Sequence, residues 1–170
     1  MFSTVLPYNY TCYAAGLDMK TYCARTSNVS FPATGIHENI NDRLRSQGYD
    51  EAYLYIDKEN FITYQFLLKR IEPEFRSQRY LESVAGAKVE ALKAKFTSRK
   101  FININSKLIL DYSYEYFYDG VKKSSYTRTM IENDVYYSWT VQSNEGYGNY
   151  AARYIFDNYV VYVGNVGRCK

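Results

Sequence analysis

Leu108-Ile109-Leu110-Asp111-Tyr112-Ser113-Tyr114-Glu115-Tyr116-Phe117-Tyr118-Asp119-Gly120 is the stretch on which the fold turns. Its period is two. Leu108, Leu110, Tyr112, Tyr114, Tyr116 and Tyr118 share one face of a long strand, and Ile109, Asp111, Ser113, Glu115 and Phe117 share the other. Asp119-Gly120 is a dipeptide that tight hairpins favour, because both residues accept a positive φ. The chain then returns over 124–131, turns again at Glu132-Asn133-Asp134, and runs out over 135–142. Trp139 lies in that third strand, with Val135, Tyr137 and Val141 on its side. The result is a three-strand antiparallel meander.

Upstream of the meander the period is 3.6. Leu81, Val84, Ala85, Leu92 and Phe96 fall on one face of a helix predicted over about 74–98, with Pro73 leading into its first turn. Lys93, Lys95, Arg99 and Lys100 gather at its C-terminal end, where cations complement the helix dipole. Before the helix, 49–56 alternates Ala52, Leu54 and Ile56 against Tyr53 and Tyr55; Asp57-Lys58-Glu59-Asn60 is a polar turn, and 61–71 completes a hairpin. Over 38–47 a short helix closed by Gly48 competes with a short loop strand. Residues 20–32 read as an extended pair ended by Pro32, and 1–20 as an irregular lead-in. At the other end, Glu145-Gly146-Tyr147-Gly148 is a loop, Asn149 caps a short helix carrying Tyr150, Arg153, Tyr154 and Phe156, and 159–163 closes as a strand. The expected class is α+β: an antiparallel meander with one long amphipathic helix and a short C-terminal helix packed on it.

A chain of 170 residues with 46% apolar and 23% charged residues suits one domain spanning 1–170, with its core over 20–164. Lys and Arg exceed Asp and Glu by 21 − 18 = 3, which argues no nucleic-acid partner. No apolar run is long enough to span a bilayer. The opening Met1-Phe2-Ser3-Thr4-Val5-Leu6 has neither the basic nor the apolar region of a secretion signal, which taken literally is cytoplasmic. Cys12 and Cys23 point the other way. A bridge between them would restrain the unfolded chain by roughly 2–3 kcal/mol, a device of secreted or periplasmic domains. Three unrelated thiols, Cys169 included, are the alternative.

The order of these elements resembles the PsbP-like (Mog/PsbP) fold. Asn28-Val29-Ser30-Phe31-Pro32, the hairpin 49–71, the amphipathic helix, the meander and the closing Ala151-Ala152-Arg153-Tyr154-Ile155-Phe156-Asp157-Asn158-Tyr159 follow in sequence. Members of that family often carry a strand ending in Phe-Pro near the start and a short helix entering a final strand. Their meander brings a chain-reversing Gly and a Tyr in its last strand, as Gly120 and Tyr137 would here. The resemblance covers about 20–164 as architecture; the tyrosine load and the N-terminal cysteine pair depart from it. It implies binding rather than catalysis, and supplies no functional residue to carry over.

The residues point the same way. His37, the only histidine, has Gly35, Ile36 and Glu38 beside it and no nucleophile. Cys12, Cys23 and His37 match no zinc spacing, and Gly146-Tyr147-Gly148 lacks the ending of a phosphate loop. Asp111 and Glu115 stand roughly 13 Å apart along one strand, too far for a glycosidase pair. No metal, cofactor or catalytic residue is assigned.

Binding is the remaining work. The ladder 112–118 reads as core under the helix, since Leu108 and Leu110 share its face. Tyr53, Tyr55, Tyr136 and Tyr147 have no evident place in the core and are candidates for an interface. The basic run Lys93, Lys95, Arg99, Lys100 and Lys107 is either a solvated cluster at the helix end or a site that would attract an acidic partner or an anionic membrane surface. The expectation is a non-enzymatic protein-binding or adaptor module, secreted or periplasmic. A carrier of a small apolar or lipid ligand between helix and sheet is the first alternative, and a hydrolase of unrecognised type the second. On this reading Tyr53→Ala with Tyr55→Ala weakens partner capture without loss of stability, and Leu92→Ala opens the core at a cost of about 2–5 kcal/mol.

Overall fold

Two β-sheets, one long helix and a short C-terminal helical segment are the main elements of the computed structural model of the chain, which describes residues 19–25, 29–38, 44–104, 106–144, 153–156 and 162–163. The larger sheet has seven antiparallel strands: β3 (Ile36–Glu38), β4 (Glu51–Asp57), β5 (Ile62–Arg70), β6 (Lys95–Ile104), β7 (Lys107–Tyr118), β8 (Val121–Glu132) and β9 (Val135–Asn144). They lie in the order β3-β4-β5-β9-β8-β7-β6. The smaller sheet joins β1 (Lys20–Cys23), β2 (Val29–Ala33) and β10 (Tyr162–Val163) in the order β1-β2-β10. A helix, α1, runs over Gln78–Ala91 after a 3-10 turn at Pro73–Phe75. A shorter helical segment occupies 153–156.

The meander follows the two-residue period. Asp119 and Gly120 close the β7–β8 hairpin at φ 51° and 73°, and Asn133 and Asp134 close β8–β9 at φ 51° and 60°. Both turns thus have the left-handed backbone that matches strand twist. The period also sorts the side chains into two cores. On one face Tyr64, Phe66, Tyr137, Trp139 and Val141 pack with Val29 and Phe31 of the small sheet and with Ile155 and Phe156 of the short helix. On the other, Leu110, Tyr112, Tyr114 and Tyr136 pack with Leu81, Ala85 and Val89 of α1. The class is α+β, in three layers.

The helix is shorter than its pattern predicts. It starts at Gln78, capped by Ser77, whose hydroxyl accepts from the Tyr80 N–H at 3.1 Å. It stops at Ala91, because Lys93 takes φ 50°. The Lys93 N–H then bonds the Glu90 carbonyl and the Ala94 N–H the Val89 carbonyl, both at 2.9 Å. This pair of reversed bonds is the usual helix stop, here built without the usual glycine. Phe96, Arg99 and Lys100 therefore belong to β6 rather than to the helix, and Leu92, 37% exposed, is not a core position. In 38–47, Leu44 and Arg45 form a helical turn, and Ile36–Glu38 adds an edge strand that the sequence pattern did not single out.

Candidate functional site

The β4–β5 turn, the β7–β8 hairpin tip, the described end of β9 and the passage from α1 into β6 all lie at one end of the large sheet. Among the described residues seven large apolar side chains are exposed, and six of them, Ile36, Phe61, Leu92, Phe117, Tyr118 and Val121, are at this end. The seventh, Phe75, is at the other. Seven strands at about 4.8 Å make this rim roughly 30 Å wide.

Local structure holds the rim in place. Among the described residues β9 accompanies β8 to the Lys123↔Asn144 pair, and β6 accompanies β7 to Lys95↔Glu115. Phe117↔Lys122 and Tyr118↔Val121 continue the hairpin beyond both neighbours, so Phe117, 72% exposed, and Tyr118, 67% exposed, ride on an overhang. Phe61 is held at φ 57°, a left-handed conformation costly for a bulky side chain. The turn before it is anchored from within. Thr34 donates to Asp57 Oδ2 at 2.6 Å, and Asn60 donates from its backbone N–H at 3.0 Å and its side-chain amide at 2.8 Å. Burial alone would raise the Asp57 carboxyl, but these hydrogen bonds outweigh it and hold it below its ordinary value. Gly35, at φ 85°, lies so close that a Cβ there would meet the Ile56 carbonyl oxygen at 2.2 Å. Between Phe61, Lys58, Lys123 and Asn144 a cavity of about 280 Å³ opens on the rim.

The tyrosines singled out from sequence lie mostly elsewhere. Tyr136, 3% exposed, is buried beneath α1, with the Tyr80 ring edge-on to it at 6.0 Å. Tyr55, 7% exposed, packs with its ring centre 4.3 Å from that of Tyr22 of the small sheet, the two planes tilted by 30°. Tyr53 is half-buried; its hydroxyl donates to Glu51 Oε1 at 2.7 Å and accepts from the Arg25 N–H at 2.8 Å. Burial pushes the Tyr53 and Tyr55 hydroxyls up to about 12. Tyr55 and Tyr136 are therefore core residues rather than surface ones, and Tyr53 is half-buried where the two sheets meet. The cover over Tyr53 and Tyr55 comes from β1 and β2, more than twenty residues away in sequence, so no local pattern announces it. Tyr147 lies outside the described residues. His37 is exposed on β3, its ring 5.1 Å from that of Tyr55.

Lys95, Arg99 and Lys100 stand exposed on β6, and Lys93 in the turn before it. They do not cap a helix end as expected, because α1 stops at Ala91; they line a sheet edge and the turn that leads into it. Cys23 is exposed at the end of β1, while Cys12 and Cys169 lie outside the described residues. Phe61, Phe117 and Val121 were not singled out from sequence. Their signal is an apolar residue beside a polar turn, where an ordinary hairpin carries none.

Beneath α1 the sheet is filled with side chains. Lys88 reaches under the helix, donates to Thr140 Oγ1 at 3.1 Å and lies 5.7 Å from the Tyr114 ring centre. Burial pushes its ammonium down to about 8. At the N-terminal end of α1 the layer opens into a cavity of about 510 Å³ between Leu81, Leu108 and Ile131, rimmed by the Arg76–Asp134 ion pair.

This arrangement can be set against known proteins. Cyanobacterial PsbP (CyanoP) from Synechocystis superposes with a TM-score of 0.67 at 10% identity, over 86% of this chain and 92% of that one. The fold is PsbP-like. LpqN, described as involved in cell envelope biogenesis of Mycobacterium tuberculosis, shares the PsbP-like architecture with a TM-score of 0.52 at 11% identity, over 89% of this chain and 95% of its own. A Bacteroides thetaiotaomicron protein gives 0.53 at 6% identity, over 88% of this chain and 50% of that one. At such identities the likeness is one of fold alone. No protein-family model and no curated protein sequence matches the chain.

Proposed function

We propose that this chain is a non-enzymatic protein-binding or adaptor module that works outside the cytoplasm, and that its contact surface is the apolar rim. The observation that carries the reading is the placement of six exposed apolar side chains at one end of the sheet. Scattered single apolar residues are ordinary on a surface, whereas a concentration of them marks an interaction site. Phe61 adds weight, since an exposed aromatic is kept in a conformation that glycine would adopt at less cost. A Cys12–Cys23 bridge, which fits a secreted or periplasmic setting, belongs to the same proposal.

Native mass spectrometry of the chain captured gently from its own cells is the test. A co-purifying protein is expected, and it should be lost with Phe117→Ser combined with Tyr118→Ser while the melting temperature holds. Retention of the partner by that variant would remove the rim from the interface. One observation bears on the carrier reading, namely the cavity of mixed lining in which Leu81, Leu108 and Ile131 meet Arg76, Ser77, Gln78, Asn133 and Asp134. A co-purifying lipid or small molecule displaced by Leu108→Trp would put it first.

A further inference from the structure

We propose that the free edge of β6 takes up an extended acidic segment of a partner protein as an eighth strand of the large sheet. The proposal rests on the protein-binding reading and names the class of partner.

Among the described residues β6 pairs with β7 alone, so its outer side presents unpaired backbone groups. A bulge sits between Phe96 and Ser98, and from Ser98↔Ser113 to Ile104↔Lys107 the register is unbroken. This leaves seven regular residues, roughly 23 Å, for an incoming strand. The residues 93–107 contain Lys93, Lys95, Arg99, Lys100 and Lys107 and not one acid. Lys107 is paired with Glu132, but none of the other four forms an ion pair with a described residue. Lys95 and Lys100 do face Glu115 and Asp111 across the ladder. Those carboxylates are already held from β8, Glu115 by Lys122 at 3.2 Å and Asp111 by Arg128 at 2.9 Å. The edge therefore carries uncompensated positive charge.

That charge selects the occupant. A second copy of this chain adding β6 to β6 would set like charges opposite one another, which is destabilising. An acidic strand reverses the sign of each contact. Lys100 belongs to the sheet face of Asp111 and Arg99 to that of Tyr112, so two consecutive acids on an added strand meet one cation each. Backbone hydrogen bonds supply the affinity and the charges the choice.

Fluorescence anisotropy with a labelled octapeptide, Val-Thr-Val-Glu-Glu-Val-Thr-Val, tests this on the full chain. Saturable binding is expected, falling as salt is raised. It should weaken at least about tenfold with Gln in place of both Glu, with alternate peptide amides N-methylated, and in Arg99→Glu/Lys100→Glu. Arg99→Gln/Lys100→Gln gives the milder version should the charge reversal impair folding. Amide exchange over 98–104 should slow in the complex. Equal binding of the Gln or N-methylated peptide, or no saturable binding, overturns the proposal. So does a homodimer whose amide protection maps to 98–104. Loss of this proposal with cellular capture still abolished by the Phe117/Tyr118 variant leaves the protein-binding reading standing.

Discussion

Tyr112 and Tyr118 project from one face of one strand, six residues apart, yet the first is 1% exposed and the second 67%. Tyr114 is buried and Tyr116 half-buried between them, its hydroxyl donating to Gln142 at 2.7 Å. The side chains are alike, so the difference lies in what covers them. α1 shields the ladder until its stop at Lys93, and beyond that point the same tyrosines pass from core to surface. A residue's type and its strand face therefore do not decide its role; the length of the neighbouring helix does. The opposite end of the sheet carries the ion pairs Arg76 to Asp134 and Lys107 to Glu132, and of the exposed large apolar side chains among the described residues it holds Phe75 alone.

The contrast breaks most sharply at Tyr112. Tyr112→Ala should cost about 3–5 kcal/mol in chemical denaturation, whereas Tyr118→Ala should be near neutral. Equal effects would show that α1 does not divide the ladder. Lys88, at the covered end, gives the next largest effect. Its ammonium titrates near 8 in the folded chain against 10.5 ordinarily, so between those values the unfolded chain binds more protons and stability climbs with pH. Above about 10 the buried tyrosines act oppositely. Burial raises Tyr112, Tyr114 and Tyr136, so their unfolded counterparts release protons first and stability falls. Lys88→Met should remove the rising limb and raise neutral-pH stability by on the order of 1 kcal/mol, since the ammonium is held by a hydroxyl and a ring face rather than a carboxylate. A rising limb that survives in Lys88→Met would assign it to another group.

Leu92 sharpens the boundary itself. Leu92→Ala should shift stability by no more than about 0.5 kcal/mol, against about 2–5 kcal/mol for Leu81→Ala in the first turn of α1. A large loss at Leu92 would extend the covered region past the helix stop. Phe61→Gly is expected to leave stability unchanged or raise it by up to about 1 kcal/mol by relieving the left-handed backbone. Destabilisation there would mean that the ring packs, which would take Phe61 out of the exposed rim.

Where period and turn chemistry agree, the fold was legible in the sequence. Residues 107–118, the Asp119-Gly120 turn and the strand around Trp139 stand as read, and so does the PsbP-like order of elements. The helix boundary was not legible, because Lys93 occupies a backbone conformation that sequence patterns expect of glycine. Val84, Ala85 and Phe96 keep a helical spacing across that stop, which made β6 invisible. The site was less legible than the fold. Tyr53 and Tyr55 alternate with apolar residues as an exposed face would, and only a second sheet, distant in sequence, buries them. Phe117 reads as one apolar residue on a polar face until the overhang of the hairpin gives it a position.

That overhang has a dynamic consequence. Past Lys123↔Asn144 and Lys95↔Glu115, the hairpin has no third strand beside it among the described residues. A two-stranded ribbon alone is marginally stable in water, so these last rungs can open at a small fraction of the cost of global unfolding. The β7–β8 tip can then open while the rest of the large sheet stays paired. Phe117 and Tyr118 are thus carried where the chain can reshape itself around what it meets.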